Sequence, residues 1–187
     1  MVTLCEFDPV TSQELSDIIR GTTMKTCQLD PLPATVLKQC LNILLPALTK
    51  IVNLLIGRGI IPVCMKEALL DPLLNQSSLD HELFPNYRPI SNIMFTSKSC
   101  ERVVALQVND YRHDNKLVES FQSAYKVGHS TESALSRVQN DISRSIDDDK
   151  CVVLLLLNLS ATFDRVQHQT LLIGLYHRFG IQGVALQ

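Results

Sequence analysis

An α/β (α+β) fold is the class this sequence predicts, from three observations. Residues 151–157 read CVVLLLL, apolar without alternation, which is the pattern of a strand covered on both faces. Several other segments repeat apolar residues at helical spacing. Between Ile60 and Asn92 the apolar runs are short and broken by Pro, Asn, Ser and Asp, which suits strand, loop, strand. The predicted order is helices, two short strands, helix, helix, buried strand, helix.

Thr11 and Glu14 form a capping-box pattern at the start of TSQELSDIIRG, and Gly21 stops that helix. Asp30, Pro31 and Pro33 make a turn. Val36, Leu37, Cys40, Leu41 and Leu44 then recur at helical spacing. Pro46 is expected to end or kink this helix and to start another. Ile51, Val52, Leu54 and Leu55 give the second helix its apolar face, and Gly57 and Gly59 stop it. Ser97 to His113 is helical, with Val103, Val104, Val108 and Tyr111 on one side. Ser130 caps a helix whose inner face is Ala134, Leu135, Val138 and Ile142. DDDK is a solvated turn, and Gly180 ends a helix over His168–Arg178. Only one central strand is evident before the chain stops at Gln187, so its sheet is expected to be incomplete.

Composition narrows the function. With 187 residues, 45% apolar and 19% charged, the chain can build a core and is not a disordered tail. A net charge of −2 lacks the overall basic footprint of an autonomous nucleic-acid binder. Any such role must come from a local patch. The N-terminus has no leader pattern, and the run 151–157 is far below the roughly 20 residues of a membrane helix. The expectation is a soluble, intracellular protein with no membrane partner. Six Cys, at 5, 27, 40, 64, 100 and 151, contain no CxxC, and are expected to be reduced, buried thiols without disulfides. Five His show no paired ligand spacing, and there is no GxSxG or P-loop. Ser130 and Thr131 beside His129 cap a helix better than they form a nucleophilic site.

Three motifs remain, in order: NYRPISN at 86–92, FQSAYKVGHSTESAL at 121–135 and LLLLNLSATFDRVQH at 154–168. Together with DPLPATVLKQCLNILLPALTKIVNLLIGRGIIP upstream, they resemble the reverse transcriptase, an RNA-directed DNA polymerase, of non-LTR LINE-type retrotransposons of the jockey-like group. The likeness runs from about residue 8 to the end.

That resemblance implies a partial right-hand polymerase fold. Residues 1–60 would be a helical N-terminal extension, 61–149 a fingers-like region, and 150–187 the first palm strand and helix of a truncated copy. It implies RNA template, DNA primer and dNTP as partners, and Mg²⁺ as cofactor in a two-metal phosphoryl transfer. The family ends its first palm strand in a metal-binding Asp; here that position is Asn158. The backbone carbonyl of Leu159 would be a further ligand. An amide can coordinate Mg²⁺ but brings no charge to offset two adjacent dications, so the metal is expected to be weakly bound or unbound. Phe163 stands at the family's sugar-sensing aromatic, with Ser160 and Ala161 in the same nucleotide-binding stretch; a plain core Phe is the competing reading. Asp164 is expected to be structural.

Arg88 resembles the arginine that grips the incoming triphosphate, a task suited to a guanidinium fork. Lys126 stands where the family has Arg, and Ala124 where it has Gly. Asn75 and Gln76 replace two lysines, one of them a template or phosphate contact. Asn75, Gln76, Lys126 and Asn158 thus all lose charge or fork geometry, the pattern of a decayed copy. The family's second acid pair, in a YADD-like turn, does not occur in these 187 residues. Asp147–Asp149 precede the strand and cannot replace it. The chain is therefore expected to be a catalytically inactive polymerase fragment. Two rivals stand beside it: a nucleic-acid-binding remnant using Arg88, Arg102, Lys126, His129 and Arg137, and a protein-interaction module built on residues 34–57.

Overall fold

Thr11 and Glu14 close the capping box that their spacing announces. In the computed structural model, which describes residues 2–22, 27–157 and 165–187, the Thr11 hydroxyl accepts from the Glu14 amide at 3.2 Å. The Glu14 carboxylate accepts from the Thr11 amide at 2.8 Å. Helix α1 (Ser12–Gly21) follows and buries Leu15, Ser16 and Ile19.

The next helical stretch breaks earlier than expected. Helix α2 (Ala34–Gln39) ends at Cys40, and α3 (Leu41–Arg58) continues through Pro46 without ending there. Restarting at Leu41 leaves Pro46 within the second turn, where it removes only the bond to the Asn42 carbonyl and the helix carries on. Gly59 ends α3 in the left-handed conformation, φ 65°. Val52, Leu55 and Ile56 face inward, whereas Ile51 and Leu54 are exposed, so the apolar face is rotated from the expected one. Long and apolar enough by composition to cross a membrane, α3 instead packs these side chains into the core.

A one-turn helix α4 (Val63–Lys66) leads to strand β1 (Ala68–Leu74), which pairs antiparallel with β2 (Tyr87–Ile93). This is the expected strand, loop, strand. Pro72 sits opposite Pro89. Neither has an N–H, so this rung makes no ladder bond and both residues blunt the outer edges of the ribbon.

Helix α5 (Phe95–Asp114) packs against α1 and α3 and buries Phe95, Cys100 and Val103 in the shared core. Its start is fixed from a distance: Asp30 accepts from the Phe95 amide at 2.7 Å and from the Cys27 amide at 3.0 Å. The N-terminal strand-like segment is strapped across this body. Asn53 holds both backbone polar groups of Val10, at 2.8 and 2.9 Å. Gln107 does the same for Asp8, at 2.8 Å each. Leu4 and Cys5 then bond to the C-terminal residues Gly180, Gln182 and Ala185. The Tyr111 hydroxyl sits 2.9 Å from the Val2 carbonyl and 2.8 Å from that of Phe179.

Helices α6 (Thr131–Asp147) and α7 (His168–Phe179) form where expected, capped by Ser130 and ended by Gly180. The predicted inner face of α6 is not an inner face: neither helix has a buried residue. Between them lies the main departure. Residues 151–157 form no strand, and Val153 and Leu156 are 91% and 82% exposed. A strand needs a neighbour to take its backbone groups. The only strands among the described residues, β1 and β2, pair with each other. The incompleteness expected of the sheet therefore extends to the strand itself.

All six cysteines are free thiols, but only Cys27 and Cys100 are buried; Cys5, Cys40, Cys64 and Cys151 are exposed. The expectation of six buried thiols fails because Cys64 sits on the one-turn helix α4, which buries nothing, Cys40 lies between α2 and α3, and Cys5 and Cys151 lie in exposed chain.

Candidate nucleotide and nucleic-acid site

The β1–β2 ribbon gathers the residues suggested for phosphate contact on one tip. Arg88 is the second residue of β2, opposite Leu73. Asn75 and Gln76 follow directly on β1, and the Asn75 amide donates to the Asn86 carbonyl at 2.8 Å, extending the ladder past Leu74 and Tyr87. The loop between is braced by its own bonds. Asn86 donates to the Asp80 carbonyl at 2.8 Å, and the Tyr87 hydroxyl to that of His81 at 3.0 Å. Arg88 is exposed and has no hydrogen bond or ion pair among the described residues. Its fork is therefore available to an anion. Asp71, on the same ribbon, accepts from Asn92.

Lys126 is held elsewhere. It lies in the turn before α6, where its carbonyl accepts from the His129 amide at 3.2 Å. The Arg137 guanidinium stacks 4.5 Å from the Phe121 ring and donates to the Ser120 carbonyl at 3.2 Å. That contact ties the turn to α6. Among the described residues no hydrogen bond or ion pair joins Lys126 to the ribbon. The left-handed position of the turn falls on Tyr125, φ 58°, so Ala124 escapes the strain expected there.

Asn158, Leu159, Ser160, Ala161, Phe163 and Asp164 lie outside the described residues. Among those described, no three His, Cys, Asp or Glu side chains are placed to hold a metal ion. The donors suggested at 158 and 159, an amide and a carbonyl, are neutral. They do not fit a pair of closely spaced dications, whose repulsion calls for carboxylates.

Sequence reasoning missed a cavity of about 470 Å³ lined by Phe7, Met65, Cys100, Glu101, Val104 and Val184. Burial raises the Cys100 thiol, with the Glu101 charge adding to it. Burial also raises Glu101, against the opposing pull of Lys98. Its walls come from separate elements, so no local motif could have announced it.

Comparison with known proteins gives three partial matches, all in Drosophila melanogaster. The first, named "Probable RNA-directed DNA polymerase from transposon BS", is 31% identical over 87 residues, 46% of this chain and 10% of that protein. The second, named for transposon X-element, is 31% identical over 83 residues, 44% of this chain and 9% of its own length. The RNA-directed DNA polymerase from mobile element jockey is 26% identical over 125 residues, 67% of this chain and 14% of its own. Parts of this chain are thus similar to segments of proteins named as RNA-directed DNA polymerases of Drosophila mobile elements. The chain spans about a tenth of the length of the polymerases it matches. No family profile matches it.

Proposed function

We propose that this chain is a fingers-side segment of a retrotransposon RNA-directed DNA polymerase that contacts phosphate without catalysing nucleotide transfer. The observation that carries the reading is Arg88. It is an exposed guanidinium, unengaged among the described residues, on a braced two-stranded ribbon, in a chain similar over part of its length to polymerases. A fork held on a regular strand suits a triphosphate or a template backbone. Lys126 would add a point charge from a separate element, and Asn75 and Gln76 neutral hydrogen bonds beside Arg88. In this reading residues 1–60 buttress the ribbon, 61–149 hold the phosphate contacts, and 150–187 begin the palm. RNA template, DNA primer and dNTP are the proposed partners. Bound Mg²⁺ would supply charge stabilisation in an intact polymerase. With Asn158 in place of the acid and no second acid pair in these residues, no catalytic step is assigned to this chain.

The test is primer extension on an RNA template by the purified chain with Mg²⁺ and dNTPs. No extension is expected, either from the natural chain or from Asn158→Asp, since one restored carboxylate does not recreate the pair. Template-dependent product from the natural chain overturns the reading.

A further inference from the structure

The β1–β2 register sets one acid beside the Arg88 guanidinium. Asp71 stands opposite Ile90, so Arg88 and Asn92 are its two diagonal neighbours on β2, one on each side. Side chains alternate along a strand, so Asp71, Arg88, Ile90 and Asn92 share one face of the ribbon. Diagonal neighbours lie roughly 7–8 Å apart, a gap that a long side chain spans. The Asp71 carboxylate is therefore within range of two partners, a cation and a neutral amide. It accepts from the Asn92 side-chain amide, and among the described residues no ion pair joins it to Arg88. The neutral partner holds the acid, and the cation beside it is left open.

We infer that Asn92 is a positioning residue, holding Asp71 off Arg88 so that the guanidinium stays open to a phosphate group. Carboxylate and phosphate oxygens fit the same guanidinium fork, so Asp71 is a built-in competitor for Arg88. Released from Asn92, it would occupy the fork and repel an incoming anion with its own charge. Asn92 is neutral, so it directs the acid without adding a second cation. All three side chains belong to one ribbon, and the arrangement follows from its register alone. The inference rests on the phosphate reading of Arg88 and adds what keeps that residue unpaired. A nucleoside triphosphate and a nucleic-acid backbone present the same oxygens, so both are probed.

The test is calorimetric titration of the full chain at low salt, with inorganic triphosphate in one arm and single-stranded oligouridylate in the other. Asn92→Val removes the amide and keeps a strand-forming side chain. The Asn92 backbone carbonyl, which accepts from the Cys27 thiol at 3.3 Å, is untouched. Exposed charge pairs are weak, so the expected loss is about threefold in affinity, in whichever arm binds. Adding Asp71→Asn to that chain should restore at least the natural affinity, a rescue that a merely structural role for Asn92 would not give. Asn92→Ala supplies a second chain without the amide, and far-UV circular dichroism checks that each variant is folded. A loss confined to one arm supports the inference and names the source of the phosphate. Affinity unchanged by Asn92→Val and Asn92→Ala, or a loss that persists with Asp71→Asn, overturns the inference and leaves the phosphate reading standing. A natural chain that binds neither probe overturns the phosphate reading, and the inference with it.

Discussion

Helices α1 and α6 begin alike and end differently. Each opens on a capping box, Thr11 with Glu14 and Ser130 with Ser133. Each gathers its apolar residues on one side. Yet α1 buries Leu15 and Ile19 almost completely, while α6 buries nothing. The contrast extends to whole regions. The core belongs to residues before Val104 and to Ile181, and no described residue from Val104 to Phe179 is buried. Local chemistry thus decides that a helix forms; only packing decides that it stabilises a fold. The excursion has the first ingredient and lacks the second.

The largest test of that contrast is a matched pair of truncations. Leu15→Ala should cost about 3 kcal/mol, because a fully buried side chain leaves a cavity. Leu135→Ala, at a position 64% exposed, should cost less than about 0.5 kcal/mol. Urea melts of the two variants measure both, and equal losses would erase the distinction between the regions. A smaller effect is expected at Asp30→Ala. It strands the Phe95 and Cys27 amides and should cost about 2 kcal/mol in the same melt. The smallest is a pH effect at Glu14. Hydrogen bonds from the Thr11 backbone, and then from its side chain, hold this carboxyl below its ordinary 4.5. Its contribution is therefore in place above that value and fades as pH falls through the lowered folded value. Glu14→Gln removes the titrating group and should flatten this part of the acid limb, while Thr11→Ala, which keeps the larger backbone bond, should reduce it only in part, read by comparing acid titrations of the three chains.

Much of the body was legible because its signals are local. The Thr11–Glu14 spacing, the glycines at 59 and 180, and the broken apolar runs around the ribbon each act within a few residues. The break at Cys40 was not legible, since Pro46 is the louder signal and only packing places the restart. Nor was the fate of CVVLLLL: its sequence specifies what a strand's side chains want, but not whether a neighbour exists to take its hydrogen bonds. Among the residues suggested for phosphate contact, the ribbon brought Arg88, Asn75 and Gln76 together because pairing register follows from the strand pattern. Lys126 stayed apart, its turn fixed by Arg137 and Phe121, a contact with no sequence signature.

The clasp at Tyr111 carries a consequence for how the chain can change. Its hydroxyl sits where the last turn of α5, the N-terminal strap and the end of α7 converge. The described residues between Asn115 and Arg178 therefore leave the body and return to nearly the same place. Such a detour is a closed loop, and the entropy of closing a flexible loop grows only with the logarithm of its length, about 0.6 kcal/mol for each doubling. The body is nearly blind to what the detour contains. Substitutions, insertions and losses can accumulate there while the fold that carries it persists, so a charge can vanish from a site without being noticed by the core.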